Sequence, residues 1–100
     1  MTLWAIWSRD SDDAERLRAE HLQAHLAYAA GLGDRIMVGG PLRGGDGRFE
    51  GSMIVLGASD AAAARAVLEA DPYFKAGVWA DTEIRPFRAV IGRWVGGKTW

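Results

Sequence analysis

The chain has two histidines, His21 and His25, which lie four residues apart in a segment with helical periodicity. At about 100° of turn per residue they project in neighbouring directions. Both directions fall within an apolar arc of the same segment, so the pattern predicts that both imidazoles face the core. Imidazole takes up and releases protons near neutral pH, and these two positions therefore limit the acid–base chemistry available to the chain.

Three roles are open for these histidines. Their i, i+4 spacing lets two imidazoles bind one zinc ion on a helix face. However, Leu22 rather than glutamate follows His21, and the chain has no third histidine and no cysteine, so we expect no metal site. The other two roles are a buried neutral histidine that serves packing and a histidine that acts in acid–base catalysis.

A catalytic histidine needs a carboxylate that fixes its tautomer and stabilises the imidazolium. Asp71 stands apart from the other candidates because it lies at the C-terminal end of a predicted helix, where the helix dipole disfavours negative charge. With Pro72 behind it, Asp71 also has the pattern of an N-cap for a short following helix, and the two roles are compatible. The candidate carboxylates are Asp34, Asp46, Asp60, Asp71 and Asp81.

Other residues have types that suit contact with a small-molecule ligand. Gly39, Gly40 and Pro41 are expected to shape a cleft wall beside the first helix. Tyr28 and Ser52 are expected to donate hydrogen bonds, although structural roles remain open for both. Tyr73 is one of several aromatic residues that could line a ligand pocket, whereas most aromatics are expected in the core or at an interface. The glycine-rich stretch 39–47 lacks the spacing and the Lys-Ser/Thr pair of a phosphate loop.

Length and composition narrow the function classes. A chain of 100 residues with 49% hydrophobic and 25% charged residues is typical of one soluble domain. The net charge of −1, without a basic stripe, argues against nucleic-acid binding. The apolar start at 3–7 is too short for a signal peptide or a membrane span, which argues against secretion and membrane insertion. The lack of cysteine suits a reducing cytoplasm, where we expect the protein.

The elements that must position these side chains follow the order βαββαβ. This is the ferredoxin-like α+β arrangement, in which two helices cover one face of a four-stranded antiparallel sheet. Residues 1–95 are predicted to form the single domain and 96–100 a flexible tail. The predicted elements are strands at 3–8, 35–41, 49–57 and 78–94 (bent at Pro86 or continued by a short fifth segment after Gly92), a helix capped by Ser11 or Asp12 that runs to about Leu32, a helix at 61–70, and a turn or short helix at 72–77.

The first strand is apolar on both sides, although only one face of the sheet is covered by helices. Leu3, Ala5 and Trp7 point one way, and Trp4 and Ile6 the other. An uncovered apolar sheet face of this extent is a liability in a monomer. We therefore predict a homodimer that packs sheet against sheet.

An ordered set of short motifs resembles the YCII-related domain family over residues 1 to about 92. The resemblance implies a ferredoxin-like fold that dimerises as an α+β barrel. The motifs are His25-Leu26-Ala27-Tyr28, Leu32-Gly33-Asp34-Arg35, Gly40-Pro41, Asp46-Gly47, Gly51-Ser52, Asp71-Pro72-Tyr73 with Ala76-Gly77, and Ile84-Arg85-Pro86-Phe87.

The same resemblance implies an active-site dyad of His25 and Asp71. Members often carry arginine three residues before this histidine, where Leu22 stands here, while Arg18 stands three before His21. One branch is similar to a dehydrochlorinase of a chlorinated hydroxyquinol, which implies a cofactor-independent lyase or isomerase acting on a small cyclic or aromatic substrate. Tyr28 and Ser52 would then stabilise oxyanion character. The alternative is a non-catalytic, ligand-binding or structural dimeric module.

Overall fold

The computed structural model describes residues 2–99 and confirms the predicted α+β order. A third, short helix stands before the last long strand, where the sequence predicted a turn or short helix. A small hairpin follows that strand. The elements are β1 (Thr2–Asp10), α1 (Ala14–Leu32), a 3₁₀ turn (Gly33–Arg35), β2 (Ile36–Arg43), β3 (Phe49–Ala58), α2 (Ala61–Glu69), α3 (Pro72–Ala76), β4 (Trp79–Phe87), β5 (Ile91–Gly92), a second 3₁₀ turn (Arg93–Val95) and β6 (Gly97–Lys98).

The four long strands form one antiparallel sheet in the order β2-β3-β1-β4. Ile6 and Trp7 point to opposite faces of the sheet, as predicted: Ile6 is 1% exposed and Trp7 is 43% exposed. Ile6 pairs with Ile54 on β3 and with Ile84 on β4, so all three lie on the same face of the sheet. This is the face that packs against α2.

Helix α2 forms the core with this face. The Asp60 side chain accepts a hydrogen bond from the Ala63 N–H at 2.8 Å, which is the N-cap that the sequence predicted. Ala64 and Leu68 are buried against Ile6 and other core residues. Alanine at the contact allows the helix axis to approach the sheet closely, and this close approach produces a tightly packed core.

Helix α1 begins differently from the prediction. Neither Ser11 nor Asp12 caps it; the helix begins after Asp13, whose side chain makes no capping hydrogen bond. The Ser11 hydroxyl instead donates to the Gly77 carbonyl at 2.7 Å, and the Ser11 N–H donates to Val78 O at 2.7 Å. Ser11 therefore does not cap α1 but connects the β1–α1 loop to the turn that precedes β4.

The C-terminal region also differs from the prediction of a strand that runs to 94. Strand β4 ends at Phe87, which pairs with Leu3, because β1 supplies hydrogen bonds only as far as its own first residues. β5 and β6 then pair with each other, so β6 lies within the predicted tail at 96–100; Trp100 lies outside the described residues. In residues 2–99 no helix has both the length and the apolarity needed to span a bilayer.

Candidate active site

The structure brings His25 and Asp71 together from positions 46 residues apart. His25 Nδ1 lies 2.8 Å from Asp71 Oδ1 and 3.0 Å from Oδ2. His25 projects from α1, and Asp71 stands at the N-cap of α3, the helix on which α1 packs. The two side chains are 24% and 13% exposed, so the pair is sheltered but remains in contact with solvent.

The position of the Asp71 carboxylate is fixed by the start of α3. Its Oδ1 also accepts a hydrogen bond from the Tyr73 N–H at 2.8 Å, and Pro72 occupies the first turn of the helix. The capping role predicted for Asp71 is therefore present beside its contact with His25. A carboxylate fixed in this way holds the imidazole in one orientation.

The ring nitrogens of His25 have different surroundings. Asp71 is an acceptor when ionised, so Nδ1 carries the hydrogen in the neutral imidazole and Nε2 carries the lone pair. Within residues 2–99, Nε2 has no hydrogen-bond partner. An imidazole with a carboxylate on one nitrogen and a free lone pair on the other can act as a general base, and in its protonated form as a general acid.

Two aromatic rings hold the imidazole. Tyr73 stacks on His25 with 3.8 Å between ring centroids and 2° between the planes, and Trp79 meets His25 edge-on at 6.4 Å. Tyr73 is 3% exposed, and its hydroxyl donates to the Arg18 carbonyl at 3.2 Å. Burial raises the pKa of Tyr73 above its usual 10.0, so the phenol is neutral under ordinary conditions. Tyr73, predicted as a ligand contact, thus stacks on His25 and also lines the cleft beside it.

A cleft of about 390 Å³ opens between α1 and the strands β2 and β3. His25 and Asp71 lie on its α1 and α3 side, and apolar side chains such as Leu26 and Ile54 line its walls. The cleft can therefore receive a small, largely apolar ring against the imidazole. The cleft is lined by all three predicted wall residues, Gly39, Gly40 and Pro41, and by the predicted donor Ser52.

The glycine that keeps this wall free of a side chain is Gly39 rather than Gly40. A Cβ at Gly39 would lie 3.2 Å from Ile54 Cγ1, whereas a Cβ at Gly40 would meet nothing within 4 Å. Contacts near 3.2 Å are shorter than ordinary van der Waals separations, so a side chain at Gly39 would force β2 or Ile54 to shift. Backbone lining of the cleft therefore depends on Gly39.

The two predicted hydrogen-bond donors occupy different places. The Ser52 hydroxyl has no partner within residues 2–99 and borders the cleft. The Tyr28 hydroxyl donates to the Val67 carbonyl at 2.7 Å, which ties α1 to α2. Burial, with a smaller effect of Asp71, raises the pKa of Tyr28. Tyr28 lines an inner cavity of about 50 Å³ that shares His25, Asp71 and Ser52 with the cleft.

His21 does not face the core, contrary to the expectation. Its side chain is 40% exposed, and its nearest carboxylate is Glu20 at 3.9 Å. The packed stripe of α1 is narrow, and an offset of about 40° from His25 is enough to turn His21 towards solvent. No group of three His, Asp or Glu side chains that could hold a metal ion occurs within residues 2–99.

Sequence reasoning did not assign a role to Arg18, which lies two helical turns before His25 on the same face of α1. Its Nε and Nη2 donate to Asp10 at 3.0 and 2.9 Å, and Nη2 also donates to Gly51 O at 3.0 Å. The side chain is 12% exposed and borders the cleft. The i, i+7 spacing from His25 is the signal that could have identified it.

Trp79 was also missed. Its indole N–H is buried and has no acceptor within residues 2–99, although Trp79 borders both the cleft and the inner cavity. An unpaired buried donor is uncommon and calls for an explanation in function or solvation. In a chain with five tryptophans, nothing in the sequence distinguishes this one.

Comparison with known proteins agrees with this architecture. Among solved structures, this chain is similar to 5-chloro-2-hydroxyhydroquinone dehydrochlorinase (TftG) from Burkholderia phenoliruptrix, which was solved in complex with 2,5-dihydroxybenzoquinone. The match has a TM-score of 0.78 and 31% sequence identity, and it covers 91% of this chain and 96% of TftG. TftG therefore shares both the fold and recognisable sequence similarity with this chain.

Sequence comparisons lead to the same group of proteins. Protein YciI from Escherichia coli O6:H1 is 32% identical over 97 residues, with 89% of this chain and 99% of YciI covered. Protein YciI from Shigella flexneri matches to the same extent. The sequence profile of the YCII-related domain matches residues 2–88, which include the whole four-stranded sheet and all three α-helices. The chain therefore belongs to the YCII-related domain family.

Proposed function

We propose that the protein is a cofactor-independent enzyme of the lyase, dehydrochlorinase or isomerase type, in which His25 transfers protons to and from a small phenolic ring. The observation that carries the proposal is the 2.8 Å contact between His25 Nδ1 and Asp71 inside an open cleft. This contact leaves the Nε2 lone pair available to a ligand. The similarity to TftG, a dehydrochlorinase of a chlorinated hydroxyhydroquinone, supports the aromatic substrate class.

The proposed chemistry needs only proton transfers. In loss of HCl from a chlorinated hydroquinol, a hydroxyl gives its proton to His25 Nε2, and the ring carbon that bears chlorine receives a proton. Chloride then leaves with its bonding electrons as a second hydroxyl loses its proton, and the product is a quinone. The balance is one HCl lost with no external oxidant. Asp71 stabilises the imidazolium that forms in the first step.

The residues around the dyad favour this sequence of steps. The Ser52 hydroxyl lines the cleft and is free to donate to a developing phenolate oxygen. The apolar walls exclude water from the ring, which strengthens hydrogen bonds made inside the cleft. Stacking on Tyr73 limits rotation of the imidazole, so Nε2 stays directed at one region of the cleft.

The test is enzyme-dependent exchange of ring hydrogens of hydroxyhydroquinone with D₂O, together with chloride release from 5-chloro-2-hydroxyhydroquinone under exclusion of oxygen. His25→Asn should lower both rates by at least ~10²-fold. His21→Asn is the matched control on the same helix and should leave both rates near wild type, because His21 is turned away from the cleft. Retention of the rates in His25→Asn removes His25 from the chemistry.

A second candidate is a non-catalytic ligand-binding module, and the capping hydrogen bond from Tyr73 N–H to Asp71 favours it. In that case the His25–Asp71 contact serves to fix α3. His25→Asn would then lower the free energy of unfolding while leaving ligand affinity unchanged. Wild-type protein would show no catalysis of ring hydrogen exchange.

We also propose that a second copy of the chain covers the sheet face opposite the helices. Trp7, Met53 and Phe87 are 43%, 39% and 44% exposed, and the strand register places them on this face. Light scattering at micromolar concentration should give a dimer, and Trp7→Asp should give a monomer. Trp94→Asp, at a tryptophan outside the four-stranded sheet, is the control and should remain dimeric. A monomeric wild type contradicts the proposal.

A further inference from the structure

A second and larger cavity adjoins the dyad cleft. Its volume is about 540 Å³, and it lies between the start of α1 and the β2–β3 hairpin. Arg18 and Tyr73 line both this cavity and the dyad cleft, so the two spaces meet at these side chains. A ligand whose ring contacts His25 can therefore extend a substituent into the larger cavity.

Two arginines converge on one phenyl ring in this cavity. The Arg18 guanidinium lies 5.1 Å from the centre of the Phe49 ring, and the Arg43 guanidinium lies 4.8 Å from the same centre. The face of a phenyl ring carries partial negative charge and stabilises a nearby cation. Because Asp10 already neutralises Arg18, the charge at this ring that remains to attract an anion is that of Arg43.

Both arginines retain hydrogen-bonding capacity. Arg18 uses Nε and Nη2 for Asp10 and Gly51, and its Nη1 makes no hydrogen bond within residues 2–99. Arg43 has no carboxylate within 4.0 Å among the described residues; its one hydrogen bond, to Gly47 O, is long at 3.5 Å. Guanidinium groups with free N–H donors bind carboxylates in a planar, often bidentate geometry.

The charges of the cavity walls favour one orientation of a bound ligand. Asp10 neutralises Arg18, and Asp12 and Glu15 line the wall formed by the start of α1. The hairpin wall instead carries Arg43 and Arg48, although Arg48 also lies 4.0 Å from Asp46. An acidic substituent is thus favoured at the hairpin side and disfavoured at the helix side.

We infer that the cavity around Phe49 is a subsite for an acidic group of the ligand, a carboxylate or ionised phenol, held by Arg43 and Arg18. The inference rests on the proposed function for the position of the ring at His25. It adds a substrate class: hydroxylated aromatic acids, or phenols ionised on the side away from the imidazole. Arg43 acts as the specificity-determining residue, because it is the arginine in this subsite with no acidic partner in the described part of the chain.

The test compares the binding of 2,5-dihydroxybenzoate with that of hydroquinone, which has the same ring and hydroxyls but no carboxylate. Calorimetry on the wild-type protein should show at least ~10-fold tighter binding of 2,5-dihydroxybenzoate, and the preference should weaken with added salt. Arg43→Gln should reduce the preference to less than ~3-fold. Arg65→Gln, on α2 and paired with Glu69 at 3.6 Å, is the control and should keep it.

Three outcomes overturn the inference: equal affinity for the two compounds, an unchanged preference in Arg43→Gln, and no saturable binding of either compound at millimolar concentration. The result is separable from the proposed function. In His25→Asn the preference for the carboxylate should persist, because the carboxylate binds at the arginines. Loss of the preference in Arg43→Gln together with full activity of His25→Asn would contradict the proposed function alone.

Discussion

Helices α1 and α2 occupy equivalent places in the βαββαβ order but differ in how deeply they pack against the sheet. Helix α2 has nine residues and buries Ala64 and Leu68 in the core. Helix α1 has nineteen residues, yet Ala14 is its only fully buried residue, and Leu26 is 49% exposed. Stability is therefore concentrated under α2, and the candidate site lies along α1.

The difference follows from side-chain size on the helices and on the strands beneath them. Small side chains on α2 let it lie close to the sheet. On α1, Arg18, His25 and Tyr28 are long, and their partners are backbone carbonyls and carboxylates rather than apolar strand residues. Opposite α1, Gly39 supplies no side chain on the helix-facing side of β2, so a cleft remains. The cleft thus remains because the side chains of α1 and of the strands opposite it do not fill the space between them.

The largest stability effect is expected under α2. Leu68→Ala should lower the free energy of unfolding by about 2–5 kcal/mol, because it removes a 6% exposed side chain from the core. The rate of ring hydrogen exchange per folded molecule should stay unchanged. Urea denaturation combined with activity measured below the transition checks both. A loss of activity larger than the loss of folded protein would contradict the assignment of stability to α2 and of the site to α1.

A change at Asp71 should instead lower activity and leave stability nearly unchanged. Asn retains the side-chain oxygen that caps α3 but removes the negative charge that stabilises the imidazolium. Asp71→Asn should therefore slow proton transfer at least ~10-fold and change the free energy of unfolding by less than ~1 kcal/mol. Denaturant titrations and exchange rates on the same preparation measure the two effects. If stability falls while the rate holds, Asp71 serves only as a cap.

The smallest expected effect concerns the two tyrosines that pack near the dyad. The folded-state pKa values of Tyr28 and Tyr73 lie above 10.0 because burial disfavours the phenolate. Above pH 10 the unfolded chain then binds fewer protons than the folded chain, so the free energy of unfolding falls as the pH rises. Tyrosinate absorbance should show a higher titration midpoint for the folded protein than for the protein in urea. Coincident midpoints would contradict burial of both rings.

The sequence predicted the fold well because its periodicities are local. Ile6 and Trp7 alternate as the strand pattern requires, and the Asp60 cap and Pro72 mark helix starts whose signals lie within a few residues. The cap at Ser11 was wrong because a partner distant in sequence, the Gly77 carbonyl, takes its hydroxyl. Local signals therefore predict elements and fail where a tertiary hydrogen bond competes.

The candidate site was predicted in part. The helix dipole argument singled out Asp71, the family resemblance paired it with His25, and the structure brings the two side chains together. The solvent exposure of the two histidine side chains was less predictable. His21 and His25 have the same residue type and nearly the same helix face, but their exposure depends on the narrow contact between α1 and α3. Such a contact is set by packing between elements, which periodicity does not encode.

The central claim is that His25, and not His21, is the group in the cleft that meets the ligand. Because the chain has only these two histidines, the imidazole ¹⁵N and ¹³Cε1 NMR signals report on each side chain separately. Titration with 2,5-dihydroxybenzoquinone, the compound bound by TftG, should move the His25 signals saturably and leave the His21 signals in place. Movement of the His21 signals alone, or of neither set at millimolar ligand, would contradict the account.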